Sequence, residues 1–273
     1  MTRSNTVVDI CGVGIWSEHC GSWDDFITLL NGGAVSEGGT LKPELIAPRE
    51  RRRAPQSVKL AVEIMHQACA MAGVDPAEAA SVFASGMGDM QLTDYMCTTL
   101  LEMPRAVSPT RFHNSVHNAA TGYWSIATGS HAAANAISGF DNSAAIALLE
   151  GAIQAIEEQT PVIVASEETA APLPFTSIYS STVPLGTALL LAPPGTRQNA
   201  LATLRMELQD GKVTVEAPRL PDELTFPGNY AAAILPLLQS LATNEACTLY
   251  MPLTAASYLA ISSTPGLRHE HRQ

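Results

Sequence analysis

The chain has 273 residues, of which 46% are hydrophobic, with 19 glycines and 18 prolines; that is enough to bury a substantial core joined by many turns. A formal net charge of −11 makes phosphate backbones and anionic membrane surfaces poor partners. No apolar run approaches the ~20 residues a membrane helix needs, and the opening MTRSNTVVDICG has no signal-peptide h-region, so a cytoplasmic protein with neither nucleic-acid nor membrane partners is expected. Cys11, Cys20, Cys69, Cys97 and Cys247 are odd in number, widely spaced and free of any C-x-x-C, which predicts reduced thiols that mostly fill core.

In chain order, Thr6–Gly14 reads as a buried strand ended by glycines. Ser22 caps a helix, with Asp25 at the capping-box position and Gly32-Gly33 as the stop. A Gly-rich loop follows to Pro48. Arg49, Arg51, Arg52 and Arg53 then hold four of the chain's 15 basic residues, most simply as a solvated approach to a helix. Pro55 opens a helix through Gln56–Met71 that Gly73 stops, and its apolar positions cover most of its circumference. Ser81–Ser85 is a strand that turns at Gly86-Met87-Gly88. A lone G-x-G without the third glycine or the acidic residue of a dinucleotide site is a turn, so no cofactor is expected. Thr93–Met103 reads as a helix stopped by Pro104.

His113 and His117 are four residues apart, but Asn114 replaces the Glu of H-E-x-x-H and no third ligand is near, so no metal is expected. Ala132–Ser138 is a short apolar run. Gly139-Phe140-Asp141-Asn142-Ser143 is a turn of good N-cap residues, and Ala144–Ile156 is a helix apolar on nearly every side, hence buried. Val162–Ser166 and Thr187–Ala192 are strands flanking a Pro- and Ser-rich loop, Ala171–Pro184. Leu201–Leu208 and Lys212–Glu216 suggest a hairpin around Asp210-Gly211. Tyr230–Ala242 is a helix bent or started at Pro236, and Cys247–Met251 and Tyr258–Ser262 are short strands. Strands alternating with buried helices predict an α/β fold on a mostly parallel sheet.

An apolar strand, a sharp turn and a buried helix headed by Asp141, set among VVDICGVG, VFASGMGD and GTALLLA in that order, resemble the N-terminal half of a β-ketoacyl synthase over residues 7–192. In that family Ser-x-x-Cys ends the strand, and its cysteine is the acyl-accepting nucleophile at the helix N-terminus. Ser138-Gly139-Phe140-Asp141 places a carboxylate at the cysteine position, where it serves either as a helix cap or in a functional role. Ala188 replaces the second glycine of the family's G-x-G strand. The paired-histidine motifs are missing after Ala192, since the only histidines there are His269 and His271.

The resemblance implies a thiolase-like fold layered α/β/α/β/α with buried central helices and a truncated C-terminal half. Residues 1–195 would form the ketosynthase-like half, 196–264 a reduced C-terminal half packed on the same core, and 265–273 a flexible tail. Without nucleophile or histidines the chain is most similar to chain length factors, especially those of aryl polyene pathways, which pair with a catalytically complete ketosynthase. No residue would be catalytic. Ser138, Gly139, Phe140, Asp141 and Asn142 would line the elbow and tunnel, and His113, Asn114, His117, Asn118, Tyr123 and Trp124 would lie near the partner interface. The arginines at 49 and 51–53 would offer a docking patch to acyl carrier protein. A stand-alone homodimeric acyl-thioester-binding protein or thioesterase, using Ser130, Ser138 or Ser143, is the competing class.

Overall fold

The computed structural model describes residues 6–35, 40–215 and 218–266. The elements are β1 Thr6–Ser17, α1 Trp23–Leu30, α2 Pro48–Arg51, α3 Gln56–Ala72, β2 Ala80–Ala84, α4 Met90–Glu102, α5 Pro109–Asn114, α6 Ala119–Thr128 and β3 Ala134–Ile137. They continue with α7 Ser143–Glu158, β4 Val162–Glu168, β5 Leu185–Ala192, β6 Ala202–Asp210, α8 Leu235–Thr243, β7 Cys247–Thr254 and β8 Ser257–Pro265. The caps foretold for α3 are present, with Pro55 before its first residue and Gly73 left-handed after its last. Ser22 caps α1 by accepting from the Asp25 amide, while the Asp25 carboxylate accepts from Gly21. Helix α4 begins three residues earlier than expected, because the Asp89 carboxylate accepts from the Leu92 amide and serves as its cap.

The strands form one eight-stranded sheet in the order β3-β2-β4-β5-β1-β6-β8-β7. The expectation of a mostly parallel sheet is corrected. Only β2 with β3 and β2 with β4 are parallel, and the other five pairings are antiparallel. The reason lies in the connections: no crossover helix joins β4 to β5 or β7 to β8, so each chain reversal lays the next strand antiparallel. The hairpin expected around Gly211 is also overturned. Among the described residues 212–215 form no strand, and β6 pairs instead with β1 and β8; Glu216 lies outside the described residues.

Strand β1 shows how one sequence serves both sheet faces. Val8 and Ile10, then Val13 and Ile15, join the core around α7, while Cys11 and Trp16 join the core under α3. The odd-to-even switch occurs at a bulge between Ile10 and Gly12, since one extra residue inverts the alternation. Past the bulge, a side chain on Gly14 would collide with the Ile64 carbonyl of α3, so glycine there lets helix and strand backbones touch.

Helix α7 packs on β1, β2, β4 and β5 and also touches β7, so the sheet curls around it. Helix α8 contributes Leu237 and Leu238 to the same core. The described layers are therefore α3 and α6, the first part of the sheet, α7 with α8, and the second part of the sheet. On the last part Leu204, Met206, Leu249, Met251, Leu259 and Ile261 point inward. The alternate positions, Arg205, Thr248, Tyr250 and Tyr258 among them, are exposed or half-exposed, the pattern of an antiparallel sheet solvated on one face. This thiolase-like arrangement thus carries no outer helical layer on β6, β8 and β7 among the described residues. Asp9 ties the two parts together, its carboxylate accepting from the Gly195 amide at 2.7 Å and from the Thr203 hydroxyl at 2.7 Å. Residues 267–273, with His269 and His271 and most of the expected tail, lie outside the described residues.

Candidate functional site

The three parallel strands β2, β3 and β4 end together at one edge of the molecule, where open α/β sheets place their ligands. The elbow from β3 to α7 lies there. Residues Phe140–Asn142 form a 3₁₀ turn before α7, with Phe140 at φ +52°, a conformation that β-carbon-bearing residues seldom adopt. Ser143 secures the turn: its hydroxyl accepts from the Gly139 amide and donates to the Phe140 carbonyl. Asp141 is exposed, and no side chain hydrogen-bonds to the start of α7, so its reading as an ordinary cap is corrected. Ser143, buried one turn into the bend, meets the local need instead.

Phe140 is 67% exposed, Ser138 is exposed with its hydroxyl donating to the Gly86 carbonyl, and Gly139 and Asn142 are half-buried. A side chain on Gly86 would meet both the Phe140 carbonyl and the Tyr230 ring, so this glycine lets the turn after β2 press against the elbow. From the C-terminal part comes Tyr230, whose ring stands 5.0 Å from that of buried Tyr179. Burial, with Asp141 and Glu168 nearby, raises the Tyr230 phenol above its usual range. The elbow therefore presents a carboxylate and a neutral phenol.

No thiol substitutes. Cys11, Cys20 and Cys69 are buried, and burial pushes their thiols up to about 11, 12 and 12, the reverse of an activated nucleophile. Cys97 is exposed on α4 and Cys247 sits at the start of β7. Among the described residues none of Ser130, Ser138 and Ser143 is hydrogen-bonded to a histidine. Ser130 accepts from the Ala132 amide, and the other two serve the elbow. No group of three or more His, Cys, Asp or Glu could hold a metal ion among the described residues.

Two carboxylates that the sequence reading passed over lie directly beneath the elbow. Glu167 and Glu168 close β4, and both are buried. Glu168 accepts from the Gly86 and Met87 amides and the Ser85 hydroxyl. Burial pushes its carboxyl up to about 7 against the pull of those three donors. The signal was present in the sequence, because VIVASEE continues a fully buried strand into two acidic residues.

Of the expected interface residues, His113, His117 and Asn118 are exposed and Tyr123 is half-buried. Asn114 is buried, bridging the Arg53 carbonyl and the Tyr123 hydroxyl. Trp124, 1% exposed, belongs to the core under α3 and can reach a partner only through its neighbours. His113, Asn118 and Tyr123 line a cleft of about 700 Å³ between α5, α6 and the loop before α2, with Ile46, Ile126 and Arg53. Large apolar side chains crowd this side: Leu101 is 85% exposed and Ile126 83%, and Phe112 and Val116 are also exposed. Arg49, Arg52 and Arg53 are exposed, whereas Arg51 is half-buried and donates to the Pro43 carbonyl.

Comparison with known proteins places this geometry. The family model for the beta-ketoacyl synthase N-terminal domain matches residues 31–240. A ketosynthase (ApeO) in complex with its chain length factor (ApeC) from Xenorhabdus doucetiae matches with a TM-score of 0.67 at 19% identity, over 93% of this chain and 98% of that one. The ishigamide ketosynthase/chain length factor matches with a TM-score of 0.76 at 14% identity, over 96% of this chain and 100% of that one. A beta-ketoacyl synthase from Burkholderia phymatum STM815 gives 0.71 at 12%, over 98% and 100%. At such identities these likenesses establish the fold alone. A search of curated proteins finds no match. No helix among the described residues is long and apolar enough to cross a membrane. The chain belongs to the β-ketoacyl synthase family.

Proposed function

We propose that this β-ketoacyl synthase family member is a non-catalytic, chain-length-factor-type subunit that pairs with a catalytically complete β-ketoacyl synthase. The reading rests on the elbow, where Asp141 is exposed at the head of α7 and, by the resemblance, would take the place of the family's cysteine. Acyl transfer needs a group that leaves and returns easily. A carboxylate attacking a thioester would form an anhydride, and the expelled thiolate would reverse the step. The buried thiols are raised away from ionisation, and Tyr230 cannot supply the imidazole donors that decarboxylation of an extender requires.

The surface supports a partner. Strand β3 is an edge strand with Ala134 and Asn135 exposed, and an open edge invites pairing with another chain. Phe140, Phe112, Val116 and Ile126 are exposed at the elbow, on α5 and α6 and between them, large apolar side chains of the kind that mark a contact surface. In the pair, this subunit completes a pseudo-symmetric dimer and stabilises its partner. Phe140, held outward by its strained backbone, borders the end of the tunnel for the growing chain, and Arg49, Arg52 and Arg53 offer charge to an acyl carrier protein. Polyketide or aryl polyene assembly is the corresponding chemistry.

The test is carrier-dependent elongation by the reconstituted pair. Asp141→Ala is expected to leave turnover within a few-fold, and Phe140→Ala to shift product length. Loss of turnover in Asp141→Ala with assembly intact would make Asp141 catalytic and overturn the reading. The thioesterase alternative finds no support in Ser130, Ser138 or Ser143, all engaged in local backbone bonds.

A further inference from the structure

A small pocket of about 210 Å³ lies at the carboxyl ends of the parallel strands, on the α3 side of the sheet. The alternation of β4 puts Glu167 on its wall, because Ile163 and Ala165 before it face the α3 core. Glu167 is 1% exposed, and among the described residues neither of its carboxylate oxygens has a hydrogen-bond partner, the Ser85 hydroxyl beside it donating to Glu168. Apart from the exposed His117, the other polar groups of the pocket have partners. Asp89 accepts from the Ser57 hydroxyl and from the Leu92 amide, Asn114 bridges Arg53 and Tyr123, and the Ser115 hydroxyl donates to the Phe112 carbonyl.

Among the described residues no Lys or Arg lines the pocket. Arg53 and Arg111 border a separate cavity on another side of Asp89. Three acidic side chains, Glu167, Glu168 and Asp89, therefore gather with no Lys or Arg among them, His117 being the one basic side chain on the pocket wall among the described residues. Burial and the two neighbouring carboxylates hold the Glu167 carboxyl well above the usual range, the state of an acid kept neutral for lack of a counter-charge. An anion would be repelled here, and the volume falls short of the ~300 Å³ at which small-molecule sites begin. What fits in charge, size and hydrogen bonding is the head of one long cationic side chain. The pocket shares Val116 and Ala119 with the apolar cleft beside it, so it opens toward the face assigned above to the partner.

Resting on that partner-subunit reading, we infer that the Glu167 pocket receives a guanidinium or ammonium group, supplied by an arginine or lysine side chain of the partner ketosynthase. The incoming N–H groups bond both oxygens, and the acid gives up its proton to solvent as it becomes a charge-paired carboxylate. Glu167 thereby acts as a specificity device as well as an anchor, because a second copy offering a neutral side chain leaves the acid without its partner.

Two measurements decide it. For the pair, Glu167→Gln keeps the shape and removes the charge, and the dissociation constant is expected to rise tenfold or more. Replacing the inserted partner cation is expected to cost as much, and the double replacement no more than either alone. An unchanged affinity for Glu167→Gln, or additive losses, overturns the inference while leaving the pairing itself intact. For the isolated chain, ethylguanidinium at millimolar concentration is expected to raise the Tm of the native protein and not that of Glu167→Gln. If both forms respond alike, or neither does, the cation pocket is refuted whether or not a ketosynthase partner is found.

Discussion

Asp9 in β1 and Glu167 in β4 are both acidic, both in the same sheet and both almost inaccessible to water. Around Asp9 the structure supplies an amide and a hydroxyl, one to each oxygen, from the segment after β5 and from β6. Around Glu167, among the described residues, it leaves both oxygens without a hydrogen bond, since the nearby Ser85 hydroxyl donates to Glu168 instead, and it brings no Lys or Arg. A buried acid with its partners in place is a rivet between parts of a fold. A buried acid without them costs stability, and in the proposed pair the partner's cation offsets that cost.

The largest effect that would sharpen this contrast is at Asp9. Asp9→Ala strands a buried amide and a hydroxyl and is expected to cost about 3 kcal/mol, read as a lower urea midpoint. Assembly with a partner should be affected only through that stability. A loss under ~0.5 kcal/mol would mean that the two parts of the sheet do not depend on this link.

Glu168 is the intermediate case, a buried acid with three donors and an acidic neighbour. Glu168→Gln turns an amide N–H₂ toward donors and is expected to cost roughly 1–3 kcal/mol at pH 8. The native protein also carries a pH signature from this group. Its carboxyl rises from 4.5 to about 7 on folding, so the folded state holds the proton longer than the unfolded chain does. That contribution is fully present below pH 4.5 and is lost as pH rises toward 7, a fall of roughly 3 kcal/mol. Urea titrations at half-unit steps should show the slope in the native chain and a shallower one in Glu168→Gln.

At Glu167 the smallest change is expected, with the opposite sign. Glu167→Gln in the isolated chain should leave stability unchanged or raise it by up to about 1 kcal/mol, since no native partner is lost and a buried acid is removed. A loss comparable to that of Asp9→Ala would erase the distinction between rivet and vacancy.

Much of the fold was legible because its signals are local. Pro55 and Gly73 bracket α3, Ser22 caps α1, and the all-round apolarity of Ala144–Ile156 announced the central helix. Strand direction was not legible. It depends on whether a helix or an irregular loop bridges two strands, and the segment 171–184 gives no periodicity from which to read its path. The partner of β6 was misjudged for a related reason, since Asp210-Gly211 is a good turn whose following strand never forms, and β8 pairs there from some fifty residues onward. At the elbow the turn could be read from Gly139 to Ser143, but not that Ser143 would hold it and leave Asp141 without a capping bond. Glu167 and Glu168 went unread because carboxylates after an apolar strand usually mark its exit to solvent, and only the tertiary fold covers these two.

The central claim is that this chain is one half of a catalytic pair. Its most direct test is the light-scattering mass of the chain expressed alone and together with a candidate catalytic β-ketoacyl synthase from the same source. The account predicts a stable one-to-one complex, with carrier-dependent elongation only when both chains are present. A homodimer that ignores the ketosynthase would contradict it.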